Sequence, residues 1–266
     1  MRFGVCFGIN FPQMIAPAVE SGFDYVECGF SLLSKCEDSI FEEYKQELFR
    51  HNIKCEAANG FLPGDMRVLD HSVGQEEFIS YLKKGFERGL EIGLRKVCFG
   101  SSQARNIPDG MAFDEGFRGL VRFLTDTVAP LAEKYQIEVV IEPLCRDESN
   151  IINSIAEGVM LAAAVNSPYI STLADLYHMV KEGDSLDLLR QLRGNIHHSH
   201  ISNPFSKQEL KRDYPMHESE FDYQGFISAL KYVGCDTCSV EANFHDYCHD
   251  VKEAGALLSR LNRLTD

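Results

Sequence analysis

The chain has 266 residues, of which 44% are hydrophobic and 25% charged, enough apolar length to bury a sizeable core without disulfide or metal staples. Asp and Glu number 40 against 26 Lys and Arg, a formal charge of −14. That surplus argues against nucleic acid and against an anionic membrane surface, both of which are held through a cationic footprint. No apolar run approaches the roughly 18 residues of a membrane-spanning helix. The opening MRFGVCFGINFPQM carries one Arg and is broken by Gly and Pro, so it lacks the form of a signal peptide. Nine scattered cysteines without framework spacing read as reduced thiols, and a cytoplasmic location is the expectation. Cys235 and Cys238 form the one close pair and read as packing residues, with Cys238 opening a strand.

Taken in order, short apolar runs fall at 3–7, 25–28, 54–58, 96–99, 138–142, 170–175, 196–201 and 238–241. Amphipathic stretches at helical period lie between them, at 14–21, 40–52, 75–92, 114–135, 154–165, 185–192, 223–233 and 251–264. In 75–92 the stripe is Phe78, Ile79, Leu82, Phe86 and Leu90. Gly22, Gly93 and Gly234 each stand between a helix and the next strand, where a left-handed C-cap is needed. Strand and helix alternating eight times imply parallel pairing with right-handed crossovers. The economical architecture is a (β/α)8 barrel over 1–266 as one domain. An open doubly wound sheet is the runner-up, but GINFPQM after the first strand is no Gly-rich phosphate loop.

In such a barrel the chemistry sits at the C-terminal strand ends. The fifth run ends in Glu142, the sixth in Asp175 and the eighth in Glu241, while the seventh carries His200 near its end. Side chains alternate along a strand, so if these four point inward they converge at the barrel mouth. Three carboxylates and an imidazole make a hard donor set, suited to Mn²⁺ first, then Mg²⁺ or Co²⁺, with Zn²⁺ also within reach. Any one of the carboxylates alone reads as a solvated loop residue or a helix N-cap; four in one topological position favour a site.

The order of motifs resembles the xylose isomerase-like barrel superfamily, and within it the ketose 3-epimerase and hydroxypyruvate isomerase branch. The stretch from Ile141 to Glu148 (IEPLCRDE) is similar to that branch's strand-five motif, and Asp175-Leu176-Tyr177-His178 to its D-x-x-H motif. Ser199-His200-Ile201-Ser202-Asn203 and Val240-Glu241-Ala242 match the strand-seven and strand-eight segments. The resemblance implies one divalent cation held by Glu142, Asp175, His200 and Glu241, with Glu148 and His178 touching oxygens of a sugar. It also implies a substrate-contacting arginine on the strand-seven loop, and Arg212 is the candidate. A homodimer is compatible with it, though no interface is legible.

The implied activity is a sugar isomerase or epimerase. A metal at the ketose carbonyl acidifies the adjacent carbon, a carboxylate removes the proton, and an enediolate results. Glu142 and Glu241 are the expected proton-transfer groups. The runner-up is a metal-dependent lyase of the inosose dehydratase type, which shares the first step. An apurinic endonuclease would need further histidines at the third and fourth strand ends, where CEAANG and CFGSS have none; His71 lies too far along to replace them. A non-catalytic sugar-binding barrel would not need both glutamates.

Other residues carry blander expectations. His198 reads as an interior histidine one layer below His200, and His197 as facing the helices. Arg105 reads as a surface arginine. Glu148 can equally be a solvated loop acid. The loop at 202–221 contains Lys207, Lys211, Arg212, Asp213 and His217, and is longer than that of the epimerase branch. Phe7, Phe30, Phe61 and Phe244 follow strand ends and suit either a pocket wall or the core. EANFHDYCHD after the last strand has no glycine for a phosphate cup, so a phosphorylated substrate is not favoured.

Overall fold

Short apolar runs can be buried only if their backbone amides are paired, and parallel neighbours on both sides satisfy them. The computed structural model describes residues 1–70, 72–205 and 212–265 of the chain. Eight strands close a barrel in chain order: β1 (Arg2–Cys6), β2 (Tyr25–Gly29), β3 (Cys55–Asn59), β4 (Lys96–Phe99), β5 (Glu138–Ile141), β6 (Ile170–Asp175), β7 (Ile196–Ile201) and β8 (Thr237–Val240). Every pairing is parallel, including β8 with β1. Each expected strand is present within one residue of its expected bounds; Thr237, not Cys238, opens β8.

The helices are α1 (Ile15–Glu20), α2 (Phe30–Lys35), α3 (Asp38–Arg50), α4 (Gln75–Ile92), α5 (Ser102–Arg105), α6 (Phe113–Phe123), α7 (Ala129–Tyr135), α8 (Ile155–Val165), α9 (Leu176–Glu182), α10 (Leu186–Gln191), α11 (Tyr223–Val233) and α12 (Tyr247–Leu264). None among the described residues is long and apolar enough to cross a membrane. The expected continuous helix over 114–135 is interrupted by a π-type turn at Leu124–Val128. Pro130 follows in the sequence; it offers no N–H to the carbonyl of Asp126 and its ring crowds that carbonyl, which favours a wider turn there. The stripe on α4 also differs: Phe78, Leu82 and Phe86 are buried, but Leu90 is 51% exposed. Gly85 takes part in the buried face instead, because α2 crosses there and a Cβ would meet the Phe30 ring.

The main core lies between the strands and the helical layer. Inside the barrel the contents are different. Cys98, Val140 and Leu173 form a small separate apolar cluster. Tyr25 fills the interior over Gly4, where a Cβ would run into its ring, and its hydroxyl bonds Ser239 Oγ at 2.9 Å. Above this plug the inward positions turn polar. Among the described residues all nine cysteines are free thiols.

Candidate active site

Glu142 and Glu241 each follow a strand by one residue, Asp175 ends β6, and His200 is the penultimate residue of β7. A register shift between Thr172 and Leu173 sets Asp175 directly beside His200. His200 Nδ1 lies 3.1 Å from Glu142 Oε1, 3.4 Å from Glu241 Oε2 and 3.7 Å from Asp175 Oδ2. One donor atom from each of the four residues falls within 4.8 Å of all the others. Neighbouring oxygen and nitrogen ligands of one octahedral cation at about 2.1 Å are about 3 Å apart, so this spacing and this hard donor set fit a single divalent ion.

Two of the three carboxylates divide their oxygens between two tasks. Asp175 Oδ1 accepts the backbone N–H of Tyr177 at 2.7 Å and caps α9, while Oδ2 faces His200. Asp175 is thus both an N-cap and a convergent donor. Glu241 Oε1 accepts Asn59 Nδ2 at 2.9 Å, leaving Oε2 toward the cluster. Arg212, from the loop after β7, bonds Asp175 Oδ2 at 2.9 Å and also Glu241 Oε2, with its guanidinium over the Tyr177 ring.

The electrostatics follow from this crowding. Burial and the Glu241 charge push Glu142 up to about 7. For Asp175, burial opposes ionisation, but Arg212 outweighs it and holds the carboxyl well below its ordinary range. Burial likewise works against the charge on Arg212, yet Asp175 and Glu241 keep the guanidinium well above its ordinary value. A concentration of carboxylates that already draws in a guanidinium is an environment suited to a further cation.

A cavity of about 530 Å³ opens above the four donors, with Asn59, Glu142, Glu148, His178, Arg212 and Glu241 on its walls. Within Arg146-Asp147-Glu148, Arg146 pairs with Glu182 and Asp147 with Lys181, and only Glu148 lines this space. The backbone N–H of Cys145 donates to His178 Nδ1 at 3.0 Å, so the single proton of the neutral ring belongs on Nε2. Burial pulls this histidine down to about 4, which keeps it neutral. Nε2 faces Arg212 Nη2 at 2.6 Å. Two donors meet there, an arrangement that an oxygen acceptor placed between them relieves.

Several positions fall elsewhere than the sequence suggests. Arg105 is fully buried, not on the surface: α5 turns it under the strand end, where Nη1 donates to the Phe99 carbonyl at 2.7 Å. Burial draws its guanidinium down to about 10. Phe7, Phe30 and Phe61 are core, Phe244 is 42% exposed, and none of the four lines the cavity. His198 is a fully buried interior residue, and His197 faces outward to Glu138. His71, Lys207 and Lys211 lie outside the described residues.

Three residues at the site escape the sequence reading. Glu27 is wholly buried beneath His200; a charged residue at an inward position of the apolar run YVECG was its signal. Asn59 ends β3, the same topological position as the ligand candidates. Gly100, just past β4, leaves the space that the Glu142 carboxylate occupies, and nothing local in the sequence marks it.

The family model described as the xylose isomerase-like TIM barrel matches residues 15–264. The chain belongs to this family. A protein of Synechocystis sp. named "Probable ketose 3-epimerase" is 32% identical over 107 residues, a match that spans 38% of this chain and 37% of that relative. Among solved structures of similar fold, D-allulose 3-epimerase from Methylomonas sp. in complex with D-allulose has a TM-score of 0.80 at 18% identity, over 98% of this chain and 96% of that one. The IOLI protein, solved with a binding zinc atom, has a TM-score of 0.77 at 18% identity, over 100% of this chain and 99% of that one. At this identity the two structures establish a shared fold.

Proposed function

We propose that this xylose isomerase-like barrel is a divalent-metal-dependent sugar isomerase or epimerase acting at the carbon next to a ketose carbonyl. The observation that carries the reading is the convergence of Glu142, Asp175, His200 and Glu241 on one point, beside a polar cavity whose walls include Glu142 and Glu241. The partial match to a ketose 3-epimerase and the zinc bound by a relative of the same fold support it. Those four residues would hold the cation, Mn²⁺ first among Mn²⁺, Mg²⁺, Co²⁺ and Zn²⁺. When bound, such an ion polarises a carbonyl and an adjacent hydroxyl. The nine free cysteines suit a reducing compartment such as the cytoplasm.

The chain's own residues supply the proton chemistry. Glu142 and Glu241 come from β5 and β8 and flank His200 from either side. One takes the proton from the α carbon and the other returns it, which inverts that carbon when opposite faces are used. His178 Nε2–H and Arg212 point two donors at one place on the wall, suited to a sugar oxygen. Glu148 is placed to accept a hydroxyl proton. A small free sugar fits these walls; among the described residues no basic cluster beyond Arg212 lines them to call for a phosphate.

The experiment is solvent exchange. With Mn²⁺ present and a panel of free ketoses in D₂O, deuterium enters the carbon beside the carbonyl of the true substrate. Glu142→Gln and Glu241→Gln each reduce that exchange by about 10²-fold or more, the scale of a lost general base. Full exchange in both variants would sink the assignment.

A further inference from the structure

One fully buried acid takes no part in the chemistry above. Glu27, in β2, is 0% exposed and sits below the four convergent donors. Its Oε1 is 3.0 Å from His200 Nε2 and its Oε2 is 3.1 Å from His198 Nε2. His198 Nδ1 in turn is 2.9 Å from Thr237 Oγ1, and Thr237 Oγ1 is 2.9 Å from Lys96 Nζ. Lys96 also reaches the His197 carbonyl at 2.6 Å.

The donor inventory of these groups gives the chain one direction. The Lys96 ammonium has protons and no lone pair, so Thr237 Oγ1 accepts from it. The hydroxyl proton of Thr237 has His198 Nδ1 at 2.9 Å as its near acceptor, the His197 carbonyl being at 3.5 Å and already taken by Lys96, and the ring proton of His198 lies on Nε2, facing Glu27. Glu27, an acceptor at both oxygens, takes that proton's bond on Oε2 and a second from His200 Nε2–H on Oε1. In its neutral, ligand-competent form the imidazole of His200 then keeps Nδ1 as its only lone pair, and Nδ1 is the atom that faces Glu142, Asp175 and Glu241.

We infer that Glu27 is a positioning residue: with His198 behind it, it holds His200 in the tautomer and ring orientation that present Nδ1 to the cation. This inference rests on the metal reading given under Proposed function. A carboxylate that accepts the far N–H of a metal-bound imidazole fixes its tautomer and makes it a stronger donor. The alternative is that Glu27, Cys98, His198 and His200, whose donor atoms also lie within 4.8 Å of one another, form a cation site of their own. Against it, both Glu27 oxygens are at hydrogen-bond distance from ring nitrogens, so protons fill the space between them. Among the described residues, the cavity above the upper donors has none of these four on its walls.

Calorimetric titration with Mn²⁺ tests this on the wild type and on Glu27→Gln, with circular dichroism reporting the fold of each. The wild type is expected to take up one equivalent. Glu27→Gln, whose amide cannot accept from both histidines, is expected to bind 10- to 100-fold more weakly, the usual cost of losing such a partner. Unchanged affinity in a folded variant overturns the inference. So does uptake of two equivalents by the wild type with one lost in the variant, which would make the lower cluster a site. No uptake by the wild type overturns the metal reading itself, and this inference with it. Should Glu27→Gln fail to fold, ¹⁵N histidine spectra of the Zn²⁺-loaded wild type decide. His198 and His200 both protonated at Nε2 support the chain as drawn, and a proton on His198 Nδ1, or a bare His200 Nε2, overturns it.

Discussion

Asn59 Nδ2 donates to Glu241 Oε1 at 2.9 Å, so the carboxylate plane of a proposed proton-transfer group is fixed by a residue on the opposite side of the barrel seam. A hydrogen bond to a charged group contributes about 1.5–3 kcal/mol. If the bond orients Glu241 for proton transfer, Asn59→Ala lowers kcat by about tenfold or more. Mn²⁺ affinity changes much less, because Oε2 is the oxygen that faces His200. Steady-state kinetics beside metal titration separate the two. A fall in affinity as large as the fall in kcat would mean that Asn59 shapes the metal site and not the base.

The frame of this site was legible because buried parallel strands are short apolar runs with chemistry-bearing residues at their ends. Under the strand-end rule Asn59 stands at the end of the third strand, in CEAANG, but an amide there does not give the ligand signal of a carboxylate or an imidazole. Glu27 was not legible by that rule, since it lies mid-strand and is tolerated there only because His198 and His200 satisfy it. The helices α2 and α9 were missed because each starts directly on the strand before it, with no loop to mark the change. In α9 the cap is Asp175, so the N-cap alternative and the convergent donor hold together at one residue. Arg105 was misread because residue type alone places arginine outside, whereas the Phe99 carbonyl, which also accepts the Glu142 N–H, gives it a buried partner.

Gly100 offers a test in which no functional group is altered. A Cβ at this position would overlap Glu142 Oε2 and touch Leu144. The Glu142 side chain is nearly buried and can give way only into the cavity. Displacement of a reacting group by about 1 Å costs on the order of 10²-fold in rate. Gly100→Ala is therefore expected to lose proton exchange by about that factor. Gly74→Ala, where a Cβ meets nothing, leaves exchange unchanged. Normal exchange in Gly100→Ala would show that Glu142 is free to move without consequence.

Arg212 has two opposed effects that one substitution separates. Its guanidinium bonds the same oxygens of Asp175 and Glu241 that face His200, so it competes with a cation for them. Arg212→Gln removes a positive charge within a few ångströms of the site, where such a term amounts to about 4 kcal/mol before solvent and rearrangement reduce it. Mn²⁺ affinity is expected to rise, on the order of tenfold. Sugar turnover is expected to fall by about 10- to 100-fold, the loss of one charge-assisted hydrogen bond to a sugar oxygen. Weaker metal binding in Arg212→Gln would mean that the arginine supports the carboxylate arrangement instead of competing for it.

At the other end of the barrel, His197 Nδ1 meets Glu138 Oε1 at 2.5 Å, and Ser171 donates to the same carboxylate. The bond to Glu138 raises the His197 value, against burial and the nearby Lys96 charge. For Glu138, burial resists ionisation, but the bonds from His197 and Ser171 outweigh it and hold the carboxyl below its ordinary range. A raised histidine contributes stability that is complete below its unfolded value of about 6.5 and is lost as pH rises through its folded value. A lowered glutamate contributes stability that is complete above about 4.3 and is lost as pH falls through its folded value. The pair therefore stabilises most between these limits. The His197 side chain is 42% exposed, so screening keeps its share to about 0.5 kcal/mol. That corresponds to about 1–2 °C in a chain of this size. Thermal unfolding of wild type and His197→Gln should differ by this amount near pH 5.5, and the difference should shrink as pH rises through the raised folded value of His197. A difference that grows with rising pH would reverse the sign and show that His197 folds as the neutral ring.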